Sequence, residues 1–298
     1  MAGASTRRRA HGRVRPVLEA KLDQLKTLIR SFESCVVAYS GGVDSVLLAV
    51  VSHEVLGQSA LAAIADSPSL PRSELQEARA IAEEFGFPLE VIQTQEFEND
   101  EYVLNPVNRC YFCKAELFQK LEPFARSRGI KVVAYGENAS DVGDFRPGRL
   151  AADEYQVRAP LREVELTKDE IRELSRRYGL PTAEKPAQPC LSSRIPYGEI
   201  VSPEKLKLIE EAEQILKGSG ISDVRVRLHE LKSGYLARIE LGSGDMSMLM
   251  ENPDWADLGP RLKALGFVHV TVDLLGYRRG SLNESVPEPV KQSVVVSQ

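Results

Sequence analysis

The chain has 298 residues, which is enough for a large hydrophobic core and, as a starting expectation, for two domains. Its hydrophobic content of 43% and charged content of 27% are those of a soluble globular protein. The formal net charge of -5 argues against a general affinity for nucleic acid or for an anionic membrane. No apolar run reaches the length of a membrane span and no signal-peptide core is present, so we expect a cytoplasmic protein without membrane contact.

The N-terminal segment departs from this acidic balance. It has almost no apolar residues and carries five arginines: Arg7, Arg8, Arg9, Arg13 and Arg15. We predict a disordered basic arm over residues 1–15, with contact to nucleic acid as the lesser alternative.

Strands and helices are predicted to alternate over residues 16–200. Apolar periodicity predicts helices over 16–32, from 46 to a stop at Gly57, and over 71–85 and 114–128. It predicts strands over 35–39, 60–65, 89–92 and 131–136, and the capping box of Thr167 and Glu170 opens a further helix. This alternation predicts an α/β fold, with a doubly wound parallel sheet that carries helices on both faces.

A second, smaller domain is predicted over residues 201–284. It would contain helices over 203–217 and 258–265 and three strands over 224–228, 236–240 and 267–274. We therefore predict an α+β domain in which a sheet packs on helices, followed by a flexible tail over 285–298. Trp255, the sole tryptophan, is expected in its core.

The turn between the first strand and the second helix reads Ser40-Gly41-Gly42-Val43-Asp44-Ser45. Its glycines let the backbone approach a ligand, and its N–H groups, with the helix N-terminus, form a site for an anion. Ser40 and Ser45 add hydroxyl groups, and Asp44 suits loop orientation or Mg²⁺ binding. An ordinary Gly-Gly turn is the alternative. The Walker lysine and the third glycine of the dinucleotide fingerprint are both missing.

The turn resembles the PP-loop, the pyrophosphate-binding loop of enzymes that cleave ATP into AMP and pyrophosphate. Polar residues also follow two predicted strands, at the sheet edge where α/β proteins bind ligands: Asp66 after one, and Asn138 and Asp141 after the other, whose last residue is Gly136. We predict that these four residues join the PP-loop residues in binding ATP and Mg²⁺.

Four cysteines are too few for a disulfide scaffold in a chain of this length. Cys110 and Cys113 form a CxxC motif, which redox dithiols, zinc sites and chance all produce, and Cys190 lies in a proline-rich loop. Cys35 begins the first predicted strand and is expected to be a small core residue. Spacing alone allows two interpretations of Cys110, Cys113 and Cys190. They are three unrelated thiols, or they hold a [4Fe-4S] cluster with one iron open to hydrosulfide.

Several segments together resemble the LarE family, ATP-dependent sulfur transferases of nickel-pincer nucleotide biosynthesis. They are the PP-loop, Asp144-Phe-Arg146-Pro147-Gly148, Lys185-Pro186, the segment Pro189–Gly198 around Cys190, Val224-Arg225-Val226-Arg227 and Gly276-Tyr277-Arg278. The resemblance extends over roughly residues 16–283.

The resemblance implies that ATP adenylates a carboxylate of pyridinium biscarboxylate mononucleotide and that sulfur then displaces AMP to give a thiocarboxylate. In one branch Cys190 would give up its own sulfur. In the other, which we favour, Cys110, Cys113 and Cys190 would hold a [4Fe-4S] cluster that carries sulfide from a donor. The family also contains hexamers, so a homo-oligomer is expected.

Further roles are predicted near Cys190 and on the strand at 224–228. Ser193 and Arg194 would activate the Cys190 thiol or hold the adenylate. Arg225 and Arg227 share one strand face. As in the family, they would bind the substrate's phosphate; the alternative is that this face is simply exposed to solvent. Glu213 and Glu240 are acidic positions similar to those of the family.

Other functions remain open from the sequence. A PP-loop tRNA thiolase with a three-cysteine [4Fe-4S] cluster is the nearest alternative, against which stand the net charge and the Cys190 segment. Amide ligation, as in NAD or GMP synthetases, would leave the cysteines without a role. A non-catalytic nucleotide-binding or metal-storage module would release no pyrophosphate.

Overall fold

The computed structural model describes residues 5–141, 147–221, 223–242, 244–251, 255–278 and 280–287, and side chains from residue 16 on except those of residues 250, 283 and 285. The chain forms two compact units. The first contains Met1–Asp66, Arg72–Thr94 and Lys114–Gln188, and the second contains Ser67–Pro71, Gln95–Cys113 and Pro189–Gln298. The second unit thus begins before the predicted domain boundary at residue 200 and takes in two earlier segments.

The helices, in chain order, are α1 Ser5–Ser31, α2 Val43–Leu56, α3 Arg72–Glu84, α4 Asp100–Val103, α5 Arg109–Ser127, α6 Gly148–Glu154, α7 Pro160–Glu163, α8 Lys168–Arg177, α9 Pro203–Gly218, α10 Asp245–Glu251 and α11 Trp255–Ala264. The strands are β1 Cys35–Ala38, β2 Ala60–Asp66, β3 Leu89–Gln93, β4 Val132–Tyr135, β5 Val224–Leu231, β6 Gly234–Leu241 and β7 Phe267–Val272.

The first unit is built on a four-stranded sheet with the order β3-β2-β1-β4. Its pairs are parallel, and Val36 of β1 lies between Leu61 and Val133. The central strand is an unbroken apolar run, as expected for a strand covered on both faces. The predicted α/β fold with a parallel sheet is confirmed.

Two helices of this unit follow directly from their sequences. α2 is apolar on nearly all sides and is buried along most of its length, which is the pattern of a helix inside a domain. α8 opens with the predicted capping box: the Thr167 side chain accepts from Glu170 N–H, and the Glu170 carboxylate accepts from Thr167 N–H.

α1 begins earlier than predicted, at Ser5, so backbone that we expected to be disordered is assigned to a helix. Once a packed segment has formed a helix, each residue added at its end gains one backbone hydrogen bond. Arginine is also a good helix former. The side chains of the five arginines lie outside the described residues, so a role for them stays a prediction.

The second unit contains the sheet β5-β6-β7, in which β5 and β6 are antiparallel and β6 and β7 are parallel. The buried face of α9, with Leu206, Ile209 and Leu216, belongs to the same apolar core as Val224 and Val226 of β5. The predicted smaller sheet is thus present. Trp255 was expected in this core but is 51% exposed, because it is the first residue of α11 and the buried side chains of that helix begin at Leu258.

α5 also begins earlier than predicted, at Arg109 instead of residue 114. Cys110 and Cys113 are therefore in the first turn of a helix and not in the preceding loop. Residues three apart lie on the same helix face, so both cysteines share one face of α5. None of the helices in the described part of the chain is long and apolar enough to cross a membrane.

Candidate active site

The PP-loop in the first unit is shaped by close backbone approaches. Gly41 has a φ of 70°, and a Cβ atom placed on it would lie 3.1 Å from the Cβ of Ala78. A Cβ on Gly136, just past β4, would lie 2.8 Å from the backbone nitrogen of Ser45. Only glycine fits at these two positions. The first N–H groups of α2 have no partner within the helix and remain available to a ligand.

The two serines of the loop bond to each other. The Oγ atoms of Ser40 and Ser45 are 3.1 Å apart, and Ser40 N–H donates to Ser45 Oγ at 3.1 Å. Ser45 Oγ also donates to the carbonyl oxygen of Gly42, the N-cap of α2. These bonds hold the turn in one conformation, which suits a site that binds through its backbone.

Asp44 lies at the centre of a polar group that joins three of the predicted residues. Its carboxylate accepts from Asn138 Nδ2 at 3.1 Å and from Lys168 Nζ at 2.6 Å. Asn138 Nδ2 also donates to Asp141 Oδ2 at 2.9 Å. The structure therefore brings Asp44, Asn138 and Asp141 together, as predicted from the strand ends.

Two lysines lie at the PP-loop although the sequence predicted no role for them there; Lys185 was noted only as part of the family-like pair Lys185-Pro186. Lys168 is the first residue of α8, and Lys185 Nζ donates to Glu74 at 2.6 Å and to the Gly41 carbonyl oxygen at 3.5 Å. Both lie more than 100 positions from the loop that they contact, so no local pattern indicated them.

Asp66 lies at the end of β2 with different partners. Its carboxylate pairs with Arg72 and accepts from Gln93 Nε2 at 2.9 Å. Partial burial opposes ionisation of this carboxyl, but these hydrogen bonds and the charge of Arg72 hold its pKa below the usual range. Among the described residues, Asp66 shows no hydrogen bond to the Asp44 group.

The three candidate cysteines all belong to the second unit. Cys110 is exposed, whereas Cys113 and Cys190 are partly buried. Burial raises the pKa of the Cys113 thiol, and the nearby Cys190 thiol, Glu96 and Cys110 raise it further. The three thiols therefore share one neighbourhood. Cys35 is buried in β1, as predicted, and burial raises its pKa to about 11.

Arg109 lies among these thiols and is 3% exposed. It donates to Asn105 Oδ1 and, at 2.9 Å, to the carbonyl oxygen of Ser192, and its guanidinium lies 5.9 Å from the centre of the Tyr197 ring. Burial opposes its charge, but the Cys190 and Cys110 thiols help to raise its pKa. A fixed positive charge thus accompanies the cysteines.

A metal-ligand set is not assembled at these cysteines. Among the described residues, no group of three or more His, Cys, Asp and Glu side chains is arranged to hold a metal ion. The structure thus shows proximity of the three thiols and leaves their ligand role a prediction.

Ser193 and Arg194 contact the backbone of Cys190. Ser193 Oγ and Arg194 Nη1 donate to the Cys190 carbonyl oxygen at 2.7 and 3.1 Å. Arg194 is 1% exposed and also donates to both oxygens of Glu213, at 2.9 and 3.1 Å. Their observed partners thus hold the Cys190 turn in place, whereas the sequence predicted action on the thiol or the adenylate.

Arg225 and Arg227 of β5 are buried, so the solvated strand face is excluded. Arg225 donates to Asp223 and lies 4.7 Å from the centre of the Tyr277 ring. Arg227 donates twice to Glu240 Oε2, at 2.9 and 2.7 Å, and to the carbonyl oxygen of Ser193 at 2.7 Å. Arg227 therefore connects β5 to the Cys190 turn. Asp144 and Arg146, which contribute to the family resemblance, lie outside the described residues.

Comparison with known proteins agrees with this geometry. The family model for NAD synthase matches residues 17–139, which include the PP-loop. The chain is 45% identical over 267 residues to a protein of Synechocystis sp. named as uncharacterised, and the match covers 90% of this chain and 98% of the relative. It is 29% identical over 219 residues to a component of the glutamine-hydrolysing GMP synthase of Methanococcus maripaludis, with coverage of 67% and 68%.

A further relative carries a more specific name. The pyridinium-3,5-bisthiocarboxylic acid mononucleotide synthase of Lactiplantibacillus plantarum is 30% identical over 270 residues, which are 90% of this chain and 96% of the synthase. The chain therefore belongs to the LarE family of pyridinium-3,5-bisthiocarboxylic acid mononucleotide synthases, which are PP-loop enzymes that use ATP.

Proposed function

We propose that this protein is an ATP-dependent sulfur transferase. It adenylates a carboxylate of pyridinium biscarboxylate mononucleotide, releases pyrophosphate, and replaces AMP with sulfur to give a thiocarboxylate. The observation that carries the proposal is the match to the Lactiplantibacillus plantarum synthase over nearly the whole of both chains.

The first unit supplies what adenylation requires. A carboxylate oxygen is a poor leaving group, and transfer of AMP to it creates a good one. The N–H groups of the PP-loop would stabilise the negative charge that develops on the departing pyrophosphate. Asp44 and Asp141 offer the oxygen donors that Mg²⁺ prefers, and Mg²⁺ bound there would neutralise part of the phosphate charge. Lys168 supplies a further positive charge beside Asp44.

The second unit supplies the sulfur chemistry. Thiols are the donors that iron–sulfur clusters take, and Cys190 and Cys110 both contribute to raising the pKa of the buried Cys113 thiol. This proximity and the chemistry of the three thiols support a three-cysteine cluster. When bound, such a cluster would present sulfide at its non-cysteine iron. The protein's own residues keep the Cys190 turn rigid through Ser193 and Arg194. Sacrifice of the Cys190 sulfur is the alternative route.

Arg225 and Arg227 are the candidate ligands of the substrate's phosphate. Both guanidinium groups are planar forks that suit a phosphate, and both are already buried, so their orientation is fixed before a ligand arrives. A phosphate that binds Arg227 would share it with Glu240.

The experiment is a single-turnover reaction without oxygen. Protein reconstituted with iron and sulfide is mixed with ATP, Mg²⁺, sodium sulfide and pyridinium-3,5-biscarboxylic acid mononucleotide. We expect pyrophosphate and AMP to appear and the mass of the mononucleotide to rise by the exchange of oxygen for sulfur. Pyrophosphate release without sulfur incorporation would contradict the proposal, as would salt-sensitive tRNA retention combined with tRNA thiolation.

Cysteine variants separate the two sulfur routes. Cys190→Ala is expected to abolish sulfur incorporation and to keep ATP binding, and Cys110→Ala is expected to lose iron. About four iron and four sulfide per wild-type chain would indicate one cubic cluster. Wild-type protein without iron that still makes one thiocarboxylate per chain when no sulfide is added would instead assign the sulfur to Cys190.

A further inference from the structure

Glu96 is a buried carboxylate in the second unit that the proposed chemistry does not yet use. It is 2% exposed, in a short 3-10 helix over Glu96–Glu98. Its Oε1 accepts a hydrogen bond from Ser69 Oγ at 3.0 Å, and its Oε2 has no hydrogen-bond partner among the described residues. A buried carboxyl group with one oxygen unsatisfied is costly, which points to a ligand or a reaction at that oxygen.

Hydrogen bonds connect Glu96 to the turn that carries Cys190. Ser69, which donates to Glu96, also accepts from Leu191 N–H at 2.8 Å through its carbonyl oxygen, and Leu191 is the residue after Cys190. Ser69 Oγ in turn lies 2.7 Å from Ser67 Oγ. The orientation of the Glu96 carboxylate is thus set by the same segment that holds the Cys190 backbone.

Glu96 is also within electrostatic reach of the thiols, because its charge contributes to raising the pKa of Cys113. The other groups that act on Cys113 are Cys190, Cys110 and Arg109. The next residue, Phe97, packs against the apolar core of the second unit and keeps the short helix in place. Glu96 is therefore buried in the second unit and connected through Ser69 to the turn that carries Cys190.

We propose that Glu96 Oε2 accepts the proton that the sulfur nucleophile loses during transfer. The inference rests on the proposed function, since it concerns the step in which hydrosulfide attacks the adenylated carboxylate. It assigns a chemical role to a residue outside the cysteine set, the PP-loop and the arginines of β5.

As the sulfur of hydrosulfide forms its bond to the carbonyl carbon, its S–H proton passes to Glu96 Oε2. The bond from that carbon to the AMP oxygen then breaks and its electron pair leaves on AMP. The products are the thiocarboxylate, AMP and the protonated carboxyl group of Glu96. No oxidant or reductant is needed. A positioned base contributes on the order of 100-fold or more to such a step.

The test compares Glu96→Gln with Glu98→Gln in the reconstituted protein. Glutamine keeps an oxygen for the Ser69 bond and removes the basic carboxylate. Glu98 is exposed in the same short helix, so its variant controls for the loss of one negative charge. The readouts are ATP–pyrophosphate exchange with the mononucleotide, iron content per chain, and the single-turnover rate of thiocarboxylate formation with sodium sulfide.

We expect Glu96→Gln to form thiocarboxylate on the order of 100-fold more slowly and to keep its exchange rate and iron content, while Glu98→Gln matches the wild type. Sodium formate should restore part of the rate in Glu96→Ala by replacing the lost carboxylate. Wild-type sulfur transfer in Glu96→Gln, or a slow Glu96→Ala that formate does not rescue, overturns the inference. Failure of the wild type to make thiocarboxylate would instead refute the proposed function.

Loss of exchange or of iron in Glu96→Gln would show a folding defect, and Ser69→Ala then carries the test. It removes the donor that orients the carboxylate and leaves Glu96 itself in place. Slower thiocarboxylate formation with normal exchange and normal iron supports the inference, and an unchanged rate overturns it.

Discussion

The two units hold their functional residues in different ways. In the first, the PP-loop depends on glycine backbone and on partly exposed pairs such as Asp44–Lys168, whose side chains are 19% and 33% exposed. In the second, the pairs Arg194–Glu213 and Arg227–Glu240 are almost completely buried. Partly exposed pairs contribute little to stability and can exchange partners, whereas breaking a buried pair leaves an uncompensated charge.

This contrast indicates a division of tasks. A loop that must release ATP products benefits from backbone donors and from charges that can move between Asp44 and a phosphate. A turn that must keep Cys190 in one place benefits from a buried guanidinium that cannot leave its carboxylate. The contrast predicts that variants in the first unit affect ATP use and that variants in the second affect stability.

The largest expected effect is on stability in the second unit. Arg194→Ala should lower the free energy of unfolding by about 3–5 kcal/mol, because Glu213 would remain buried without its partner. Urea unfolding measures this. The control is Arg126→Ala, which removes an exposed pair with Glu122 and should cost under about 0.5 kcal/mol. Equal losses of unfolding free energy in the two variants would contradict the difference between buried and exposed pairs.

Gly136→Ala tests the close approach at the PP-loop. Its Cβ would lie 2.8 Å from the Ser45 nitrogen, so the loop must shift, at a cost of about 1–3 kcal/mol, and ATP–pyrophosphate exchange should fall on the order of tenfold or more. Gly259→Ala is the control, since nothing lies within 4 Å of a Cβ at that position. Normal exchange in Gly136→Ala would show that this approach does not shape the ATP site.

Lys168→Ala tests whether the charge beside Asp44 serves ATP. Loss of a charge-assisted hydrogen bond from Lys168 to a phosphate of ATP, of about 1.5 kcal/mol, should raise the KM for ATP on the order of tenfold. Loss of its partly exposed pair with Asp44 should change stability little. Lys21→Ala is matched to it, because Lys21 pairs at 2.8 Å with Glu170 of the same helix α8. If the KM for ATP rises equally in both variants, the charge of Lys168 has no specific role in ATP binding.

The smallest expected effect concerns the pH dependence of Glu137. Burial favours its neutral form, but hydrogen bonds from Tyr135 and Arg149 and the charges of Arg149 and Arg162 hold its pKa below the usual range. A carboxyl with a lowered pKa stabilises the fold above its unfolded pKa and loses this contribution as the pH falls through the folded value. Glu137→Gln should therefore be less stable than the wild type at pH 7.

The difference should be at most about 1 kcal/mol, because water screens the partly exposed arginines. It should begin to shrink near the unfolded pKa of about 4.3 and disappear as the pH falls through the lowered folded pKa. Unfolding in urea at a series of pH values measures it. A difference that stays constant as the pH falls would assign the effect to packing and not to charge.

Much of the site in the first unit was predictable from the sequence because its signals are local. Two glycines, an aspartate and two serines between an apolar strand and an apolar helix identify the PP-loop within six residues. The strand ends then predicted the group of Asp44, Asn138 and Asp141, since parallel strands bring their carboxyl ends to one edge.

The second unit was less predictable. The start of α5 at Arg109 was missed, because a cysteine pair and an arginine give no apolar periodicity by which to place a helix end. Ser193 and Arg194 follow Cys190 in the sequence, but nothing in their spacing shows that they donate to its carbonyl oxygen.

The sequence by itself determined the alternation of strands and helices, the capping box of α8, the PP-loop and the family, because each depends on neighbouring residues or on a pattern along the whole chain. Only the tertiary structure placed Lys168 on Asp44, joined residues 67–71 and 95–113 to the second unit, and buried Glu96 beside the cysteine neighbourhood. These contacts connect positions far apart in the chain, and burial and pairing at such distances follow from packing, which no local pattern encodes.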